Sequence, residues 1–251
     1  MSNEERTDSK SASRFVMTIL TGFTISVIAL VLPKFIVPGV APSLLTTQAL
    51  ELILALLAIG ILGRGRFSEY GFRLPRIAQF SFIAVVKWIL IALAAVAMGV
   101  LATLAATLSG AGGHPTLKQL SLPQMILFTW VFASIVEEIL VRGFVQGHLS
   151  PWNRTNVKLL LFRVSLPTLA GALFFGAMHT VLLLAGADAL TTIIIVIFTF
   201  SLGLLAGHQR AKSGSLIPAI ILHTLANVGG VLGGIMYAIL TILITGELPK
   251  I

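Results

Sequence analysis

Polar residues interrupt this chain rarely and in clusters. Between the clusters run apolar stretches close to the roughly 20 residues a helix needs to cross a bilayer. Eight spans are predicted: Arg14–Leu32, Leu44–Leu62, Phe80–Leu108, Leu122–Leu149, Val164–Leu184, Ala189–Ala206, Leu216–Val228 and Val231–Thr245. The third is long enough to tilt. The seventh is short, follows Gly214, contains Pro218 and is parted from the eighth only by Gly229-Gly230. Those glycines predict a tight turn and, with Gly233-Gly234, close packing of helices through small residues. The expected fold class is all-α: a polytopic transmembrane helical bundle. Residues 1–13 read as a polar tail that frays, and residues 14–251 as one membrane domain with a catalytic core over about 66–230. The run from Phe15 to Leu32 exceeds the apolar core of a signal peptide, so it reads as an uncleaved span.

Composition agrees with this partition. Hydrophobic residues make up 57% of the 251, charged residues only 10%, and the mean hydropathy is +1.01. A soluble chain would be about 25% charged. The net charge of +8 invites a nucleic-acid reading, but the cations lie between the apolar runs, where they orient a membrane protein. Arg6, Lys10 and Arg14 precede span one, Arg64 to Arg76 follow span two, Arg142 to Arg163 follow span four, and Arg210 and Lys212 follow span six. Only Lys34 and Lys118 fall in the opposite loops. With Lys250 counted on the same side as the majority, both termini are expected to be cytoplasmic, in keeping with an even number of spans. Lys87 is read as snorkelling from span three, and Glu51 as an interfacial or paired group of span two. There are no cysteines, which excludes thiol catalysis, disulfides and thiolate metal sites. Short loops and a basic pI suit a bacterial inner membrane.

Ionisable groups within the spans are costly. A carboxylate at depth costs roughly 2.5–3.5 kcal/mol on insertion scales, yet Glu137 and Glu138 stand side by side in span four. Span five carries Phe175-Gly-Ala-Met-His179, and span seven carries His223-Thr-Leu-Ala-Asn227. At 1.5 Å per residue, Glu137 lies roughly 16 Å in from His148, His179 about 18 Å from Pro167, and His223 roughly 13 Å from Gly214. Three spans therefore bring polar groups to similar depth. Glu138 and Arg142 are spaced to pair on one helix face. Glu137 points about 100° away and needs a partner on another helix.

A carboxylate, two imidazoles and a carboxamide around one cavity suit acyl transfer to water. Glu137 can act as general base, a neighbouring His can orient the water, and a second His with Asn can donate to the developing oxyanion. Ser134 lacks a G-x-S-x-G setting and reads as a packing residue. His114, His148 and His208 lie at span ends or in loops and read as solvated. Glu137, His179 and His223 also number enough ligands for a catalytic zinc site, although no H-E-x-x-H is present. Outside the enzymes, a membrane protein acting by binding or a small transporter stays open. No internal repeat supports a transporter.

At these residues the chain resembles the CPBP (Abi) family of intramembrane proteases, related to the type II CAAX prenyl endopeptidases. The family pattern is E-E-x-x-x-R, then F-x-x-x-H, then H-x-x-x-N on separate membrane helices. Here it reads Glu137-Glu138-Ile-Leu-Val-Arg142, Phe175-Gly-Ala-Met-His179 and His223-Thr-Leu-Ala-Asn227. The flanks Arg142-Gly143-Phe144, Gly214-Ser-Leu-Ile-Pro218 and the upstream Glu69-Tyr-Gly-Phe-Arg-Leu-Pro75 are also similar. The resemblance implies a metal-free, glutamate-dependent endopeptidase acting on a membrane-associated peptide, lipidated in some members. In that case Glu137 activates water with His179, while His223 and Asn227 form the oxyanion site. Glu138 and Arg142 brace the site, and Phe175 supports it. The family also includes proteins linked to bacteriocin immunity, so an immunity-type binding protein is the alternative function, and a zinc-dependent form of the same site the alternative chemistry.

Overall fold

A backbone in lipid has no water to bond, so its N–H and C=O groups must pair within the segment, and apolar runs this long become helices. The computed structural model describes residues 3–36, 44–76, 81–112, 120–159 and 162–247. Lys118, His114 and Lys250 lie outside the described residues. The helices are α1 (Asn3–Ile36), α2 (Leu44–Leu62), α3 (Phe82–Leu108), α4 (Leu122–His148), α5 (Leu166–Met178), α6 (Ala189–Ser213) and α7 (Ile217–Thr245). α5 continues as a 3₁₀ turn over His179–Ala185. All seven are long and apolar enough to cross a bilayer, α1 over Ala12–Pro33 and α5 with its 3₁₀ extension to Ala185. The protein is an integral membrane protein. The helical backbone of α1 already begins at Asn3, within the stretch expected to fray.

The expected eighth span does not exist as a separate element. Ile217–Thr245 is one continuous helix, and Gly229-Gly230 makes no turn. Those glycines serve contact instead. A Cβ at Gly229 would fall on the Val96 carbonyl oxygen of α3, one at Gly233 would lie 2.8 Å from the Val100 oxygen, and one at Gly99 would meet Ala226 of α7. The backbones of α3 and α7 thus approach through small residues, the usual means of helix association where lipid is as apolar as the side chains. Pro218 sits in the first turn of α7, where its missing N–H costs nothing. If all seven helices cross, the two ends of the chain lie on opposite sides, against the expectation that both are cytoplasmic. Gly229→Val is expected to lower stability by about 1–3 kcal/mol through overpacking, read as a lower thermal midpoint in detergent. Gly234→Ala, which meets nothing within 4 Å, should leave that midpoint unlowered.

Span five also differs from expectation. Its helix starts at Leu166, with Ser165 as N-cap. Just before it, β1 (Asn156–Leu159) and β2 (Phe162–Ser165) pair as an antiparallel hairpin. On the other end, Asp188 caps α6 by accepting from Thr191 N and Thr191 Oγ1, and it also accepts from Gly112 N after α3. These bonds, the Thr191 side chain first, hold its carboxyl down at about 2. A carboxyl depressed in this way keeps its cap charged above its ordinary value and loses it only as pH falls towards about 2.

Two loops singled out in the sequence meet at one end of the bundle. Leu216 N donates to Gly71 O at 3.0 Å, Arg76 N to Ser213 O at 3.0 Å, and Arg73 Nε to Gly214 O at 2.7 Å. Arg210 at the end of α6 donates Nη2 to Glu69 O at 2.9 Å. The loop so clipped carries Tyr70, whose hydroxyl bonds His148 Nδ1 at 2.7 Å. His148 is therefore a half-buried anchor rather than a solvated group, whereas His208 is exposed.

Candidate active site

Glu137 and Glu138 stand in a short α-helical turn, Ser134–Glu138, between two π-helical stretches of α4, Met125–Ala133 and Ile139–Val145. Such wide turns recur at functional sites, and here they hold backbone acceptors for α7. Asn227 Nδ2 donates to Thr129 O at 3.0 Å, and Thr224 Oγ1 donates to Trp130 O at 3.0 Å. Asn227 Nδ2 also donates to Ser134 Oγ at 3.2 Å. α7 is thereby fixed in register on the first half of α4. These partners, Thr129, Ser134 and Thr224, were not legible as site residues. For Ser134 and Thr224 the sequence signal is that hydroxyl and amide groups in lipid-depth helices seek polar partners; Thr129 takes part through its backbone carbonyl, which carries no signal.

Glu138 is a buried brace. Its Oε1 lies 3.0 Å from Arg142 Nη1 and 3.0 Å from His223 Nδ1, and both Glu138 and Arg142 have side chains 0% exposed. The Arg142 contact is an ion pair without hydrogen-bond alignment. Nε and Nη2 of Arg142 and Oε2 of Glu138 have no hydrogen-bonding partner among the described residues. Part of that cost is offset by Phe175, whose ring centroid is 4.4 Å from the guanidinium carbon, a favourable cation–π distance in a desolvated place. The same ring meets His179 edge-on at 5.1 Å and His223 at 5.4 Å. Phe175 is fully buried and touches three of the site's polar groups. It is both packing and wall.

Glu137 has a different environment. Its side chain is 18% exposed, and its Oε2 lies 3.9 Å from His179 Nε2 and 3.8 Å from His223 Nε2. Neither separation is a hydrogen bond; each leaves the carboxylate poised for a third group. The ring orientations follow from the other nitrogens. His179 Nδ1 lies 2.8 Å from Phe175 O, and a carbonyl only accepts, so Nδ1 carries the hydrogen and a neutral ring offers Nε2 as an acceptor. His223 turns Nδ1 to the Glu138 carboxylate and so turns Nε2 to Glu137. His179 owes its place to the point where α5 tightens into the 3₁₀ turn.

The structure therefore brings Glu137, Glu138, Arg142, Phe175, His179 and His223 together. It places Asn227 on the same face of α7, one turn along, with its amide nitrogen engaged by α4. Of the two readings of Glu51, interfacial or paired, the structure shows the second. It is buried rather than interfacial, its Oε1 accepts from Ser26 Oγ of α1 at 3.3 Å, and α2 packs on the turn that bears Glu137. As a metal set, Glu137, His179 and His223 offer suitable donors. Among the described residues, however, no His, Asp and Glu group has the arrangement to hold an ion. The separations of 3.8 and 3.9 Å exceed the roughly 3.4 Å between ligands of a tetrahedral zinc with bonds near 2.1 Å.

The bundle thus brings paired glutamates and two histidines of three apolar helices together, and this arrangement can be set beside known families. Residues 119–229 match the family model described as type II CAAX prenyl endopeptidase Rce1-like. The chain carries a domain of that family, one of CAAX-type proteases, beginning before α4 and ending within α7. No curated protein and no solved structure matches the chain.

Proposed function

We propose that the protein is an intramembrane endopeptidase in which Glu137 activates water to cleave a peptide bond of a membrane-associated, and in some cases lipidated, substrate. The observation that carries this is the division of labour between two adjacent carboxylates. Glu138 is spent on Arg142 and His223, while Glu137 faces two imidazole nitrogens at 3.8–3.9 Å and, among the described residues, forms no ion pair with a lysine or arginine.

In this reading a water molecule sits between Glu137 and His179. Glu137 takes its proton as the oxygen attacks the scissile carbonyl, and His179, held by the Phe175 carbonyl, accepts the second hydrogen bond and aims the oxygen. The proton on Glu137 then passes to the leaving amine. His223 can donate from Nε2 to the oxyanion when its ring carries both hydrogens. Asn227 would join it only by releasing a bond to Thr129 or Ser134. The site's depth suits a bond near a lipid anchor or the end of a transmembrane segment, in the cytoplasmic half of a cell membrane.

The test is cleavage of a panel of membrane-anchored peptides by purified protein beside Glu137→Gln, with products read by mass spectrometry. Cleavage by both, or by neither, overturns the reading. Zinc chemistry at Glu137, His179 and His223, whose donor types suit it although their separations do not, is tested on the same protein. Reversible loss of cleavage with a chelator, restored by zinc, would establish it over the metal-free route.

A further inference from the structure

We propose that the β1–β2 hairpin is a docking face for the headgroups of anionic phospholipids. The hairpin connects the end of α4 at His148 to the start of α5 at Leu166, so it lies at one bilayer face. Its register sets Val157 opposite Val164, Lys158 opposite Arg163, and Leu159 opposite Phe162. Successive side chains alternate between faces, which separates the valines from the basic pair. Val164 is buried and both strands pack on α5. Lys158, Arg163 and Arg154, which shortly precedes β1, are exposed.

This arrangement works against the hairpin's own stability. Like charges directly opposite in an antiparallel pair repel, and a two-stranded hairpin has little stability in reserve. Among the described residues no carboxylate pairs with Arg154, Lys158 or Arg163; the ion pairs all lie elsewhere. A phosphate placed between the two side chains removes the repulsion, and an arginine fork beside a lysine suits its oxygens. The face that carries Lys158 and Arg163 is turned away from the valine pair packed on α5, and for a basic pair at a bilayer face the nearest anions are lipid phosphates. The cytoplasmic leaflet, towards which the cation bias turns this end of the protein, is the anionic one.

The hairpin is also wired to the helices of the candidate active site. Ser165 closes β2 and its hydroxyl bonds Thr168 Oγ1 at 2.9 Å. Thr168 Oγ1 accepts from Gln146 Nε2 at 3.2 Å, and the same nitrogen donates to Gly207 O at 2.9 Å. Gln146 lies one turn past Arg142 on α4, and Gly207 belongs to α6. Lipid bound on the hairpin therefore steadies the junction of α4, α5 and α6.

Because the chain has no cysteine, Asn156→Cys on the exposed face can be labelled with bimane alone. In phosphatidylcholine vesicles containing brominated phosphatidylglycerol, the label should be quenched more than with brominated phosphatidylcholine at the same content. Each basic side chain near an anionic surface is worth about fivefold in binding, so Arg154→Gln/Lys158→Gln/Arg163→Gln should reduce the preference by about tenfold or more. The equally discharged Arg64→Gln/Arg76→Gln/Lys212→Gln should retain it. Unlabelled protein gives a second readout: phosphatidylglycerol should raise the thermal midpoint of the parent and not of the hairpin triple. Equal quenching by the two lipids, or equal loss in both triples, overturns the proposal.

Discussion

Glu137→Gln should abolish cleavage while leaving the thermal transition of the protein almost where it was. Glutamine keeps the shape of the side chain, replaces one accepting oxygen with a donating NH2, and removes the charge and the basicity. Positioned general bases contribute about 10²–10⁴-fold to rate, so the loss should be at least of that size. The fold has little to lose at this position. Glu137 makes no hydrogen bond within 3.5 Å among the described residues, and its nearest imidazole nitrogens are at 3.8 and 3.9 Å. Measuring turnover and thermal midpoint on the same preparation separates the two effects. An inactive variant that has also lost its cooperative transition would point to a structural carboxylate, and the base would have to be sought elsewhere.

Glu138→Ala should show the opposite balance. Among the described residues its carboxylate is the only acid in an ion pair with the fully buried Arg142, and it also holds His223 Nδ1. Removing it leaves a guanidinium uncompensated except by the Phe175 ring, and breaking a buried pair from one side costs about 3–5 kcal/mol. The expected result is a large fall in thermal midpoint in detergent. Glu138→Ala/Arg142→Leu, which removes both charges, should recover much of it, because no isolated ion remains. If the single variant is as stable as the parent, the pair is not the brace described.

The candidate site was legible because lipid leaves few explanations for a polar side chain. Glu137, His179 and His223 each carry a cost that only a partner at the same depth relieves, and equal depth can be counted from the helix ends. The split between Glu137 and Glu138 followed from helical spacing alone. Features that depend on a second backbone were hidden. Gly229-Gly230 reads as a turn when α7 is viewed alone and as a contact once Val96 of α3 is in place. The hairpin fell in the connection between spans four and five, with only Val164 and Ser165 taken into span five, because strands of four residues leave too short a pattern to mark. Asn227 was expected to face the reacting carbonyl, but the acceptors that hold its amide, Thr129 O and Ser134 Oγ, are exposed to it by the local geometry of α4, which no pattern of residue types encodes. For Glu51 the sequence left interfacial and paired placements open, because its burial against α1 and α4 is a property of the assembled bundle.

The contact between α3 and α7 bears on what can count as an autonomous unit. The recognisable family segment, 119–229, contains every motif residue, yet it ends within α7, whose glycine face rests on a helix that precedes the segment. Its Gly214–Leu216 corner is tied to a loop further upstream still. A fragment cut to the matched boundaries would keep all the catalytic candidates and lose the surfaces against which two of their helices are seated. Sequence recognition and physical self-sufficiency are here different territories, and the second includes at least α3 and the Glu69–Arg76 loop.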